Sequence, residues 1–122
     1  MRMNNESREQ QLFIQWCSLN TKKYPGLDMI FAIPNGGKRN KLEAVKLKRE
    51  GVKAGVPDLF LPVPKGKYHG LFIEMKFGKN TTTEKQELWL GELEEQGYAV
   101  DVCWGFEEAK QTIEWYYKEK LK

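Results

Sequence analysis

In the run Leu71-Phe72-Ile73-Glu74-Met75-Lys76-Phe77 a carboxylate and an ammonium stand two residues apart inside an otherwise apolar stretch of β-formers. An extended chain sends alternate side chains to opposite faces, so Glu74 and Lys76 share one face and Ile73, Met75 and Phe77 take the other. Burying charge costs several kcal/mol unless the charge is paired or handed to a metal, so this strand needs partners for both groups. Gly55-Val56-Pro57-Asp58 opens an earlier apolar run, Val56 to Val63, and the two runs are separated by Pro64-Lys65-Gly66-Lys67-Tyr68-His69-Gly70. That spacing predicts a hairpin with a basic loop, which makes the strands neighbours and sets Asp58 near Glu74. Two carboxylates a few Å apart repel each other and favour a hard divalent cation between them. The competing reading of the same spacing is an ion-pair ladder on a solvated strand.

The other elements follow from periodicity and punctuation. Apolar residues recur at helical spacing from Glu6 to Asn20, with Leu12, Phe13, Trp16 and Cys17 on one side, until Tyr24-Pro25-Gly26 breaks the pattern. Asp28 to Ile33 reads as a strand that ends in the turn-former Pro34-Asn35-Gly36-Gly37. Asn40 is placed to cap a basic helix running to Glu50, with Gly51 to end it. Thr83 and Gln86 have the spacing of a capping box for a helix that turns Trp89, Leu90 and Leu93 inward and stops near Gly97. Tyr98 to Trp104 is a fourth strand, and after Gly105 a last helix from about Phe106 to Leu121 buries Ala109, Ile113 and Tyr116 or Tyr117. The order α-β-α-β-β-α-β-α predicts an α/β fold, a mixed sheet flanked by helices, and residues 1–122 are read as a single domain.

Cys17 and Cys103 are far apart in apolar segments, which fits two buried thiols in a reducing cytoplasm rather than a disulfide scaffold or a zinc site. No signal-peptide core and no membrane-length apolar run occurs, so a soluble, cytoplasmic protein with no membrane partner is expected. The net charge of +3 hides a division. Lys38 to Lys79 holds eleven Lys or Arg against four acids, whereas Glu84 to Glu114 holds two against nine. A basic central segment suits a polyanion such as nucleic acid, although a solvated helix face would look the same. Asn35, Gly36, Lys38 and Arg39 can set backbone N–H groups and two cations against a phosphate, with Lys41, Lys48 and Lys53 following. His69, with neither a second histidine nor a serine partner, reads as a loop residue.

Pro57-Asp58, fifteen intervening residues and Glu74-Met75-Lys76 resemble the PD-(D/E)xK signature of the restriction-endonuclease-like nucleases. Ile33-Pro34-Asn35-Gly36-Gly37, the stretch Leu47 to Leu59, and Gly70 to Lys76 sharpen this into a resemblance to the VRR-NUC family, the virus-type replication-repair nucleases, extending from Glu6 to the last helix. The resemblance implies a restriction-endonuclease-like fold and a catalytic set of Asp58, Glu74, Lys76 and Gln86. It implies Mg²⁺ or Mn²⁺ held by Asp58, Glu74, the Met75 backbone carbonyl and Glu6, directly or through water. Glu6 and Gln10, one helical turn apart, match the family's Glu-x-x-x-Gln, and Gln10 would lie against nucleic acid. Glu6 as a helix-dipole residue and Gln86 as a mere capping partner are the rival readings. The function implied is a metal-dependent DNA endonuclease acting on branched DNA such as four-way junctions, as a homodimer, like the small stand-alone members of phages and bacteria. A non-catalytic nucleic-acid-binding module and a flap- or RNA-directed enzyme are the alternatives.

Overall fold

The computed structural model describes residues 5–34 and 40–118. Helix α1 (Asn5–Leu19) leads into a 3-10 turn (Leu27–Met29) and a two-residue strand β1 (Phe31–Ala32). Helix α2 (Lys41–Arg49), strands β2 (Leu59–Leu61) and β3 (Leu71–Lys76), helix α3 (Glu84–Glu95), strand β4 (Ala99–Trp104) and helix α4 (Phe106–Lys118) complete the order. The four strands form one sheet in the sequence β1-β2-β3-β4, antiparallel except for the parallel β3–β4 pair. The expected α/β mixed sheet and hairpin are therefore present. Two strands are shorter than their apolar runs. Pro25-Gly26 and the 3-10 turn consume the start of the Asp28 to Ile33 segment, and the Val56 to Val63 run pairs only from Leu59 to Leu61. The end of the last helix, expected near Leu121, lies outside the described residues.

On one sheet face Leu71, Ile73 and Met75 align with Leu59 and Leu61 and with Ala99 and Cys103, and all seven are buried. Helices α1 and α4 pack over this face and on each other, adding Phe13, Cys17, Ala109, Ile113 and Tyr116 to the core. The expected choice between Tyr116 and Tyr117 resolves to Tyr116, which is wholly buried and donates its hydroxyl to the Val63 carbonyl. Trp16 also packs against the core, within an aromatic group that includes Phe13, Tyr24 and Phe106. Both cysteines are free and buried, and burial pushes each thiol up to about 12.

The opposite face begins with Phe60, Phe72 and Tyr98. Phe60 and Phe72 stack at 4.3 Å and Phe72 meets Tyr98 edge-on at 5.2 Å, pairings worth about 0.5–1.5 kcal/mol each beyond burial. Beyond this aromatic line the same face carries Glu74 and Lys76, and α3 closes over it. No helix among the described residues is long and apolar enough to cross a membrane.

Candidate active site

Asp58 immediately precedes β2. The register that pairs Leu59 with Ile73 brings its side chain alongside β3, where Asp58 Oδ2 accepts a hydrogen bond from Met75 N at 2.8 Å. The Asp58 carbonyl accepts from Ile33 N at 2.8 Å, so the segment from β1 toward the glycine loop is tied to the same residue. Glu74 is 2% exposed and Met75 1%, as a central strand covered on both faces requires. Glu74 Oε2 lies 3.8 Å from Lys76 Nζ and accepts from Gln86 Nε2 at 3.3 Å, while no N–H or O–H donor reaches the buried Glu74 Oε1. Burial, reinforced by the Asp58 charge and a hydrogen bond to Asp58, pushes the Glu74 carboxyl up to about 8 against the pull of Lys76. Glu6 acts in the same upward direction, the smallest of these influences.

Gln86 unites the two readings its position allowed. Its Oε1 accepts from Thr83 N at 2.9 Å while Thr83 Oγ1 accepts from Gln86 N, completing a capping box, and its amide nitrogen remains for Glu74. The N-terminus of α3 is thus fastened to the middle of β3. Gly55 makes this approach possible. It holds φ +91°, and a Cβ there would sit 2.9–3.0 Å from Lys85 Cβ and backbone, so only glycine lets the lead-in to Asp58 run against α3.

The remaining candidate residues are more dispersed. Glu6 is exposed near the start of α1, and Gln10 is half-buried one turn on. Both border a concavity of about 970 Å³ whose described lining comes from α1 alone. Among the described residues no group of three or more acidic, histidine or cysteine side chains converges as a metal-holding cluster. Lys41 and Lys48 project from α2 into solvent and Lys53 follows it, also exposed. Asn35, Gly36, Lys38 and Arg39 lie outside the described residues. His69 is an exposed loop residue, its ring against Gly97 and Tyr98.

The VRR-NUC domain family model matches residues 3–107, which contain every residue of this constellation. The chain belongs to the VRR-NUC domain family. A solved structure described as a VRR_NUC domain protein is 31% identical to it, with a TM-score of 0.80 over 100% of this chain and 96% of that one. A search of curated proteins finds no match at a significant level. This VRR-NUC chain has the fold of a nuclease-type family and keeps an aspartate, glutamate and lysine adjoining in space.

Two features of this VRR-NUC fold escape sequence reasoning. Glu9 Oε1 accepts from Phe106 N at 2.9 Å and lies 3.0 Å from where a Gly105 Cβ would be, so α1 caps the N-terminus of α4. Its partner is 97 residues away and leaves no local trace. Trp89 and Leu93, expected inward, are only half-buried, and Leu90 alone of the three is buried. Trp89, Leu90 and Leu93 fall within about 100° of one another, so periodicity allows one face to hold all three and gives no warning of the difference.

Proposed function

We propose that this protein is a Mg²⁺- or Mn²⁺-dependent endonuclease that hydrolyses DNA phosphodiester bonds, with Asp58, Glu74 and Lys76 as its reactive groups. The observation that carries the reading is the pairing of two acidic side chains in one buried place: Glu74, only 2% exposed, stands directly against Asp58, and no N–H or O–H donor reaches its Oε1. Two carboxyls buried against each other are costly unless they share a proton or a cation, and oxygen ligands of this type suit hard divalent ions. Asp58 and Glu74 would hold the ion, with the Met75 carbonyl and Glu6 completing the set that the family resemblance implies. When bound, such an ion supplies Lewis acidity to a phosphodiester and helps to ionise water.

The chain's own groups supply the rest. Lys76 carries a fixed positive charge within 3.8 Å of Glu74, suited to orienting the attacking water and offsetting charge that gathers on the phosphate oxygens during displacement. Gln86 fixes the rotation of the Glu74 carboxylate, and the Met75 N–H does the same for Asp58. Lys41, Lys48 and Lys53, with Asn35, Gly36, Lys38, Arg39 and Gln10, would contact the nucleic acid, mainly through phosphates that carry no sequence information.

Paired cuts on a branched DNA such as a four-way junction require two sites. A chain with one site meets that requirement as a twofold homodimer, for which Trp115, 46% exposed on α4, offers apolar surface. Labelled duplex, flap, single-stranded and four-way DNA, incubated with Mg²⁺, Mn²⁺, Ca²⁺ or excess EDTA, tests the reading. Cutting is expected with Mg²⁺ and Mn²⁺ and fastest on the junction, while robust cutting in EDTA overturns the metal mechanism. Light scattering at micromolar concentration reads the dimer, and a strict monomer that prefers the flap overturns that part alone.

A further inference from the structure

The face of α3 turned away from the carboxylates borders a second concavity. A groove of about 560 Å³ runs between α2, the segment after it and α3, with Leu47, Leu88 and Trp89 as its apolar wall and Lys48, Lys53 and Lys85 around it. None of its described lining residues is acidic, although α3 itself carries Glu84, Glu87, Glu92, Glu94 and Glu95. Leu88 is 65% exposed and Trp89 half-buried, so an aromatic surface stands beside three cations. This volume lies in the range that small ligands fill, and the combination of flat apolar wall and separated positive charges matches one base with its flanking phosphates.

We infer that this groove binds an unpaired nucleotide of the nucleic-acid substrate, its base against Trp89 and its phosphates on Lys48, Lys53 and Lys85. The inference rests on the nuclease reading above and names the kind of strand that reaches its site. The groove adjoins that site through two covalent links. Ala54 lines it and is four residues from Asp58, a separation of at most about 14 Å along the chain. Lys85 lines it and is followed by Gln86, whose amide rests on Glu74. A strand lying in the groove therefore arrives at the carboxylates within a few nucleotides. A base inside a duplex is stacked on its neighbours and cannot present its face to Trp89, so the groove takes a base only where stacking is broken beside the cut, as at the opened crossover of a four-way junction or at a flap.

The test uses the full-length protein in EDTA, where cleavage is suppressed, and an oligothymidylate of about ten nucleotides, within the span of known single-strand sites. Photo-crosslinking of its iodouracil-substituted form, followed by peptide mapping, is expected to mark Trp89, with no mark from a blunt duplex carrying the same base. Crosslinks only at other aromatic residues, or none, overturn the inference. In fluorescence anisotropy, Trp89→Ala is expected to weaken single-strand binding by about tenfold, as removal of one stacked base would, and Trp89→Phe by far less. Lys85→Glu, at an exposed position, should weaken binding with no change in melting temperature, which keeps the test valid if Trp89→Ala fails to fold. Displacement of the oligonucleotide by polyglutamate at equal charge concentration would show a groove that reads charge alone, and would also overturn the inference. Metal-dependent cutting of a duplex by the unaltered protein stands or falls separately, so failure here is distinguishable from failure of the nuclease reading.

Discussion

Strand β3 and helix α2 carry the two kinds of group a nuclease needs, and they are held in opposite ways. In β3, Leu71, Ile73, Glu74 and Met75 are all buried and the strand is hydrogen-bonded on both edges. Helix α2 has no buried residue, Leu42 is 86% exposed, and the helix depends on its own Asn40 cap and last-turn backbone bonds. A reacting group misplaced by an ångström loses most of its effect, whereas a lysine near a phosphate acts across roughly 8–10 Å at ordinary ionic strength. Order is concentrated where bonds are to be broken and relaxed where charge only has to be nearby.

The contrast breaks most visibly on substitution in β3. Glu74→Ala and Lys76→Ala are each expected to lower cleavage by at least about 10²–10³-fold. They should differ in isothermal calorimetry, where Lys76→Ala keeps its Mn²⁺ affinity and Glu74→Ala loses it. Unchanged Mn²⁺ binding by Glu74→Ala would refute the ligand assignment even with activity gone.

Stability of the metal-free protein gives the next largest effect. The folded protein raises the Glu74 carboxyl from the ordinary 4.5 to about 8, so folding is favoured by its proton below pH 4.5 and that contribution is lost as pH climbs through 8. Glu74→Gln removes the ionisation and keeps a donor for Asp58. Melting in EDTA should show it about 5–10 °C above the unaltered protein at pH 8.5 and level with it near pH 4.5. A difference that grows toward acid pH would contradict the sign.

Changes on α2 should be smaller and of a different kind. Lys41→Ala and Lys48→Ala are expected to weaken duplex binding only several-fold each, lowering the salt slope by about 0.9 for each phosphate that is no longer neutralised. Anisotropy titrations at a series of salt concentrations read this directly. Smallest of all, Leu42→Ser should alter unfolding free energy by less than about 0.5 kcal/mol, while Ile73→Ala costs about 2–5 kcal/mol. Equal costs at the two positions in urea titrations would erase the distinction between the regions.

That distinction also decides what the sequence discloses. The hairpin, the capping box, the Asn40 cap and the meeting of Asp58 with Glu74 depend on alternation, turn residues and neighbours a few positions apart, and all are legible. Strand lengths are less so, because the pairing of β1 and β2 is limited by Pro25-Gly26 and Pro57, whose influence falls on residues that look like good strand formers. The parallel alignment of β3 with β4 and the Glu9 cap on α4 depend on how separate elements dock. Trp89 departs from its expected burial for the reverse reason: helical periodicity tells which residues can share a face, but α2 stands too far off α3 to cover it.

Gln86 narrows the alphabet available at its position more than either of its duties does alone. A capping box accepts glutamate as readily as glutamine, since both offer an oxygen to the Thr83 N–H. A neighbour for Glu74 Oε2 must instead offer a hydrogen, which glutamate at neutral pH does not possess. A single exchange of NH₂ for O⁻ would thus be silent to the helix and disruptive to the strand, placing a third negative charge against a carboxyl already reluctant to ionise. Variation among functional chains of this fold should accordingly treat glutamine and glutamate as unlike residues here, however similar they look to a helix.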